Sequence, residues 1–460
     1  MKPLLALIFC TFLILWLLTI ERKRNPAASL ALWLPTFWML IYASRPVGRW
    51  LQSGGGDLEA GSPLDRLVLG LLIISALVVI HRRRIDWSLI LEDNLWLLLL
   101  FLYMGISILW SDSSYVSFKR WFRSIGDILM AIVVLSEREP RQALESVFRR
   151  CAYVLLPLSL VLIKYFPHIG RDYGRWNGLP MWTGVTTHKN GLGQLCALSA
   201  FFFIWVLLRQ RRSGNPSEGK GSQTLVDLFI LGLTLFLLAG SGYSYSATSI
   251  AIFVVGITML LMLYGIKDSA SFMATHFKGI VIVAVIVYLL FSDLVVEMIA
   301  PFLGRDSTLT GRTSDIWRPL LDVAAQHPLF GAGFGGFWGV ENPDLGVLQA
   351  HNGYLDIFIE LGYLGLVLLA AFLLAFCGKV QRMLDYSRDW GFYGICFLLM
   401  TLSYNLTESS LLQALSYLWS MMVFLTIVFS EPCLHREEVV SAWDAGFKAA
   451  EDLSFEYKNL

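Results

Sequence analysis

Thirteen long apolar stretches, nearly free of charge, decide what this 460-residue chain can fold into. They lie near 4–20, 29–45, 66–80, 94–110, 124–136, 151–166, 190–208, 225–240, 247–265, 279–297, 353–377, 391–404 and 411–430. Most approach the roughly 20 apolar residues that a helix needs to cross a hydrocarbon core about 30 Å thick. Lipid offers no partner for a bare peptide group, so such stretches must be helices that satisfy their own backbone. The count lies between twelve and fourteen, because 124–136 is short and 225–265 can be divided differently. Charged residues make up only 15%, against roughly 25% in soluble domains. That excludes a soluble enzyme, a disordered scaffold and a nucleic-acid binder with a basic face. The predicted fold is an all-α polytopic integral membrane protein with 12–14 transmembrane helices.

Net charge says nothing about partners, since 36 Lys+Arg stand against 35 Asp+Glu. The distribution of the basic residues says more. Clusters at Arg22–Arg24, His81–Arg84, Arg138–Arg150, Arg209–Lys220, Lys267–Lys278 and Lys379–Arg388 all fall on one side when thirteen spans are threaded through the bilayer. By the positive-inside rule that side is cytoplasmic. It also receives the tail, 431–460, while the N-terminus faces out, with 4–20 read as a retained anchor because no small-residue cleavage motif follows it. The opposite side receives the loops 46–65, 111–123, 167–189, 241–246, 298–352 and 405–410. The loop 298–352 is too long for a passive connector. Loops of that kind usually carry function. The expected division is 1–92 as N-terminal helices, 93–430 as a core that includes the large outward loop, and 431–460 as the cytoplasmic tail.

Cations kept on the outer side need a reason. One outward segment carries Lys119, Arg120 and Arg123; a second carries Arg171, Arg175, His188 and Lys189; a third carries Arg305, Arg312 and Arg318 and ends in His351-Asn352. Lys119, Arg120 and Arg123 are interleaved with Trp121 and Phe122 and read as residues that snorkel to lipid phosphate, with a supporting role as the alternative. Arg171, Arg175 and Arg312 each sit beside glycine, which permits close approach to a ligand. Guanidinium groups match phosphate oxygens bidentately. Several converging on one outward cavity would suit a diphosphate.

Within the large loop, Thr313 or Ser314 can cap a short helix with Ile316, Trp317, Leu320, Leu321 and Ala324 on its inner face. Residues 331–336 match G-x-G-x-x-G, but no strand precedes them and no βαβ unit follows, so they read as a turn that brings the loop back to the membrane. His351 stands at the mouth of the next span. Asn352, Asp356 and Glu360 follow it at i, i+4, i+8 as a polar stripe, and acids inside a span are costly enough to suggest either function or the fixing of a helix. Outer aromatics (Tyr173, Trp176, Trp182, Phe334, Phe337, Trp338) are candidates for stacking on sugar faces. Ser241–Ser249 reads as a polar turn between spans. The six cysteines are scattered without a C-x-x-C pair, no His or Cys pair has metal spacing and there is no Asp-x-Asp, so neither a metal nor another cofactor is expected.

The run Gly311-Arg312-Thr313, Trp317, His327-Pro-Leu-Phe-Gly-Ala-Gly-Phe-Gly-Gly-Phe337, His351-Asn-Gly-Tyr-Leu355, Glu360-Leu-Gly362, Gly365 resembles the signature of the O-antigen ligase/polymerase superfamily. Trp110-Ser111 with Ser117, and His188-Lys-Asn-Gly-Leu-Gly193, resemble its flanking segments. The latter and Ser241–Ser249 are closer to exopolysaccharide polymerases of the ExoQ type than to lipopolysaccharide ligases. The resemblance covers about residues 90–430. It implies a bacterial inner-membrane glycosyltransferase of GT-C-like helical fold, with no metal and an active site facing the periplasm. The implied donor is an undecaprenyl-diphosphate-linked oligosaccharide. His351 would be the catalytic base, and Arg312 with Arg171 or Arg175, and Lys189, would hold the diphosphate. Arg120, Arg123, Asn352, Asp356 and Glu360 would support them. Membrane lipid surrounds such a protein, a flippase and a chain-length regulator are implied partners, and nucleic acid is not. An O-antigen ligase that passes the glycan to lipid A-core, and a transporter of an anionic glycan, are the alternatives.

Overall fold

A computed structural model describes residues 2–51, 62–83, 85, 87–174, 178–213, 221–241, 244–291, 316–338 and 349–434. In the described parts, every one of the thirteen apolar stretches carries a helix, although 411–416 forms turns ahead of its helix. The order is α1 (Pro3–Arg24), α2 (Trp33–Tyr42), α3 (Val47–Trp50), α4 (Pro63–Arg82), α5 (Trp87–Asp93), α6 (Leu95–Ile106), α7 (Ser114–Leu135), α8 (Pro140–Tyr165) and α9 (Pro167–Gly170). A two-stranded hairpin follows, β1 (Arg171–Tyr173) antiparallel to β2 (Pro180–Trp182), with Arg171 opposite Trp182. Then come α10 (Lys189–Ser213), α11 (Gly221–Ala239), α12 (Ala247–Gly265), α13 (Ser269–Leu290), α14 (Arg318–Ala324), α15 (Gly353–Tyr386), α16 (Arg388–Tyr404) and α17 (Tyr417–Val428).

Among the described residues, nine helices are long and apolar enough to cross a membrane, and a tenth span results if the pair Trp87–Asp93 and Leu95–Trp110, bent by 81°, is taken as one. The protein is a multi-pass, all-α membrane protein. The stretches on α2, α7 and α16 complete the bundle, although α2 is short and α7 opens with a cationic turn.

Burial separates centre from rim. The apolar windows of α8 and α10 are 78% buried, whereas those of α1 and α13 are only 17% and 6% buried, so the latter two helices face lipid on most sides. Trp38, Phe203, Trp205, Phe376, Tyr393 and Trp419 fill the centre. Asp127 on α7 sits within it and accepts from Trp38 Nε1 at 2.7 Å and Ser420 Oγ at 2.5 Å. That satisfied carboxyl fixes α7 to α2 and α17, because a buried polar group without a partner would be costly.

The basic clusters meet at one end of the bundle, where carboxylates receive them. Asp227, fully buried at the start of α11, takes Arg24 at 2.6 Å, Arg149 at 2.7 Å and the Tyr153 hydroxyl at 3.1 Å. Glu145 takes Arg149 at 2.6 Å and Arg209 at 2.8 Å, while Arg150 pairs with Glu21 at 2.6 Å. Arg83 closes on Glu137 and Ser29, Lys379 and Arg382 on Asp93, and Arg141 on Glu431. Glu431 thereby ties the start of the tail to α8; positions 435–460 lie outside the described residues.

Candidate active site

At the opposite end, α15 is built in two pieces. Gly362 has φ +63° and ψ −163°, which breaks the helix one third of the way along. A break inside a span frees backbone groups that must be paired. The glycine-rich turn pairs them: Ala332 N donates to Ile359 O (2.9 Å), Gly333 N to Glu360 O (2.8 Å), and Tyr363 N to Pro328 O (2.8 Å). Tyr103 Oη donates to Leu361 O at 2.9 Å. Backbone lies against backbone here, so a Cβ at Gly362 would overlap the Leu329 carbonyl and one at Gly331 would overlap Glu360. The G-x-G-x-x-G stretch is therefore a clamp on a broken helix.

This clamp gathers two of the cationic segments. Arg120 Nη1 donates to Gly335 O at 2.6 Å, and Phe334 N donates to Ser107 Oγ at 3.0 Å. Arg123, one turn further along α7, feels the charges of Arg120, Arg66 and Asp65. Lys119 lies over the Tyr115 ring at 4.5 Å, and burial together with Arg66, Arg123 and Arg120 lowers its pKa. A cationic patch thus surrounds the start of α7.

α14 anchors the end of the large loop. Leu320 and Ala324 pack with Phe337, Trp338, Ala350, Leu355 and Ile359 in a small cluster of their own, and Trp317 Nε1 donates to Ala350 O at 2.9 Å. Leu321 departs from the expected inner face and is 50% exposed. Ile316, Trp317 and Val323 pack against the same cluster while partly buried. Phe334, Phe337 and Trp338 are buried in packing rather than offered to a sugar, whereas Tyr173 is exposed. Trp176 lies outside the described residues.

His351 follows this cluster directly. Its φ of +52° is in the left-handed region, which histidine visits more readily than bulkier residues. The turn lets Asn352 cap α15, its Oδ1 accepting from Tyr354 N (3.1 Å) and Leu355 N (3.2 Å). Asp356 Oδ1 accepts from Ala350 N at 2.9 Å. Asn352 and Asp356 therefore fix the backbone on both sides of His351, while the Glu360 carbonyl serves the clamp. Gly353 N donates to the carbonyls of Asn405 and Glu408, which presses the 405–410 loop against the helix start.

That loop supplies a residue to which the sequence reading gave no role. Glu408, with a side chain 3% exposed, brings Oε2 to 3.2 Å from His351 Nδ1 and accepts from Asn190 Nδ2 on Oε1 at 2.8 Å. The His351 side chain remains 30% exposed. Gln349 Nε2 also lies 3.2 Å from Nδ1. His188 Nδ1 accepts from Gly191 N at 3.1 Å and so caps α10. His188 is exposed, yet the protein packed around it lowers its pKa; Glu408 opposes that shift and His351 adds to it, which places His188 within electrostatic reach of both. Ser246, expected only as part of a polar turn, caps α12 by accepting from Ser249 N, and Thr248 meets Thr407 at 3.1 Å beside Glu408.

Arg171 Nε donates to Ile163 O at 2.8 Å. Its neighbour Asp172 exerts a charge felt at both His188 and Arg45. Arg45, also missed from the sequence, donates to Thr186 O (2.9 Å from Nε) and Ile169 O (2.5 Å from Nη2), pinning the hairpin loop to the end of α2. Lys189 opens α10 beside His188. Arg175, Arg305 and Arg312 lie outside the described residues. The structure thus joins His351, Glu408, Asn190 and His188 in one cluster, and joins Arg120 to the clamp that positions α15.

Residues 228–370, from α11 to the middle of α15, match the O-antigen ligase family model. The chain is also 25% identical over 309 residues to the exopolysaccharide production protein ExoQ of Rhizobium meliloti (strain 1021), covering 64% of this chain and 67% of that protein. The matched segment contains His351 and the clamp but neither Glu408 nor Asn190. By these matches, the chain is similar to the O-antigen ligase family over residues 228–370 and to ExoQ over about two thirds of its length.

Proposed function

We propose that the protein is a metal-independent, inverting glycosyltransferase. It polymerises undecaprenyl-diphosphate-linked oligosaccharide units into exopolysaccharide or O-antigen at the periplasmic face of the bacterial inner membrane. The observation that carries this reading is the half-open His351 imidazole at the mouth of α15, inside the segment that matches the family. Residues 93–430 would form the working core, with a flippase and a chain-length regulator as partners.

In this reading the acceptor is a sugar hydroxyl, a weak nucleophile until its proton is taken. His351 Nε2 accepts that proton as the hydroxyl oxygen attacks the anomeric carbon. The new C–O bond forms while the bond from the anomeric carbon to the phosphate oxygen breaks. The electron pair leaves with the lipid diphosphate, and displacement from the opposite face inverts the anomeric centre. Negative charge grows on the departing diphosphate, and Arg312 with Arg171 or Arg175, and Lys189, stabilises it electrostatically. The Arg120 and Arg123 patch supports the same end of the bundle.

The likeness to an exopolysaccharide production protein favours a polymerase. The likeness to the O-antigen ligase family favours a second reading, in which the same chemistry transfers the glycan to lipid A-core. Purified protein in liposomes with lipid-linked repeat units separates the outcomes. Chain elongation supports the polymerase, while transfer only to added lipid A-core supports the ligase. Movement of the lipid-linked unit without a new glycosidic bond makes the protein a transporter and overturns both.

A further inference from the structure

Resting on the reading of His351 as the base, we infer that Glu408 is its positioning residue, held by Asn190 so that the imidazole keeps its proton on Nδ1 and turns a bare Nε2 toward the acceptor. Glu408 comes from the 405–410 loop and Asn190 from the first turn of α10, so three separate elements meet on one carboxylate.

Hydrogen-bond capacity decides which ring nitrogen of His351 carries the proton. An ionised carboxylate only accepts. Its Oε1 is already occupied by Asn190 Nδ2 at 2.8 Å, and Oε2 faces His351 Nδ1 at 3.2 Å. For that contact to be attractive, Nδ1 must carry the hydrogen, which leaves the lone pair on Nε2. Gln349 is compatible with this tautomer, because a half-turn of its amide presents oxygen rather than nitrogen to the same N–H. Burial of Glu408 strengthens the interaction, since little water competes for the carboxylate.

The backbone reinforces the same geometry. Gly353 N bonds to the carbonyls of Asn405 and Glu408, and Asn405 Oδ1 accepts from Ser410 N and Leu411 N. The loop that bears Glu408 is therefore rigidly referred to the helix that bears His351. When His351 takes the acceptor proton it becomes an imidazolium, and the carboxylate on its far side stabilises that charge without itself accepting the proton. The other charged or titratable groups that reach this pair are His188 at the start of α10 and Asp356 in the first turn of α15, with Asp172 acting on His188. His188 spends its Nδ1 on capping α10, which leaves Glu408 as the carboxylate in contact with His351 among the described residues.

The test is a double-mutant cycle in proteoliposomes supplied with lipid-linked repeat units, using Glu408→Gln, His351→Ala and the double variant, each normalised to folded protein. Gln keeps the shape and an oxygen for Asn190 but loses the charge. Glu408→Gln is expected to lower kcat about a hundredfold or more with KM little changed. In the His351→Ala background the same change should cost nothing further. Normal turnover by Glu408→Gln, or losses that multiply in the double variant, would overturn the inference while leaving an inactive His351→Ala, and hence the base assignment, intact. A near-normal His351→Ala would instead remove the base assignment itself. Glu408→Asp serves where the Gln variant is poorly expressed: partial recovery of kcat at unchanged KM supports positioning, and a loss confined to the amount of folded protein overturns it.

Discussion

The two ends of the bundle use the same residue types for different purposes. At one end a network of guanidinium groups meets carboxylates: Arg24 and Arg149 on Asp227, Arg209 on Glu145, Arg150 on Glu21. Charge is cancelled locally, and the network holds α1, α8, α10 and α11 together. At the other end Arg45 and Arg171 donate to main-chain carbonyls, and among the described residues neither forms an ion pair. Carbonyls fix a guanidinium in space without neutralising it. The first arrangement builds a scaffold, and the second leaves positive charge available for an anion. Glu408, one of the acids at the second end, faces an imidazole instead.

The sharpest way to break this contrast is to disturb the scaffold alone. Asp227→Asn leaves two buried guanidinium groups without their shared counter-charge, which is expected to cost about 3–5 kcal/mol. A thermal-shift measurement in detergent should show a large fall, while turnover per folded molecule stays near the parent value. A lower rate per folded molecule would mean that the two ends are not separate in function. At the other end, Arg312→Lys replaces a planar fork by a point charge. Turnover with lipid-linked units is expected to drop about a hundredfold, with thermal stability unchanged; near-normal turnover would count against a role in holding diphosphate.

Smaller changes sharpen the boundary. Gly362→Ala forces a side chain into the left-handed region and against the Leu329 carbonyl. A loss of about 1–3 kcal/mol is expected, together with reduced polymer formation, because the clamp fixes the break that orients the first turns of α15; unaltered melting and activity would show that the break is not needed. The weakest effect concerns pH. The protein mass around His188 lowers its pKa from its ordinary 6.5, although the side chain itself reaches solvent, so the unfolded chain binds a proton more readily than the folded one. Stability should therefore fall as pH drops below 6.5, and His188→Gln should flatten that dependence in thermal scans at pH 7.5 and 5.5. A parent protein equally stable at both pH values would contradict that lowered pKa.

Sequence made the spans legible because lipid imposes one rule on every stretch: apolar side chains and a self-satisfied backbone. It also made His351 and the glycine-rich turn legible, since both sit in a contiguous family signature. What it hid depends on contacts between distant segments. Glu408 reads as one acid in a short loop until the fold sets it against His351, 57 positions away. Arg45 reads as an end-of-span cation until its carbonyl partners at Ile169 and Thr186 are visible. The stripe Asn352, Asp356, Glu360 was detectable, but only geometry separates its work of capping and clamping from ligand binding. Phe334, Phe337 and Trp338 misled in the opposite sense, because aromatics beside glycine suggest a binding face and here form packing. A signal for Glu408 did exist: it is an acid in a short loop beside a span, and such acids usually have a partner.

The most direct test of the central claim is an experimental structure of the protein in lipid nanodiscs with undecaprenyl diphosphate bound. The account predicts the diphosphate at the His351 end, with its oxygens within hydrogen-bond reach of Arg312 and of Arg171 or Arg175, and the terminal phosphate beside the His351 imidazole. A diphosphate seated among the Arg24, Arg149 and Asp227 network, or far from His351 with those guanidinium groups turned away, would contradict it.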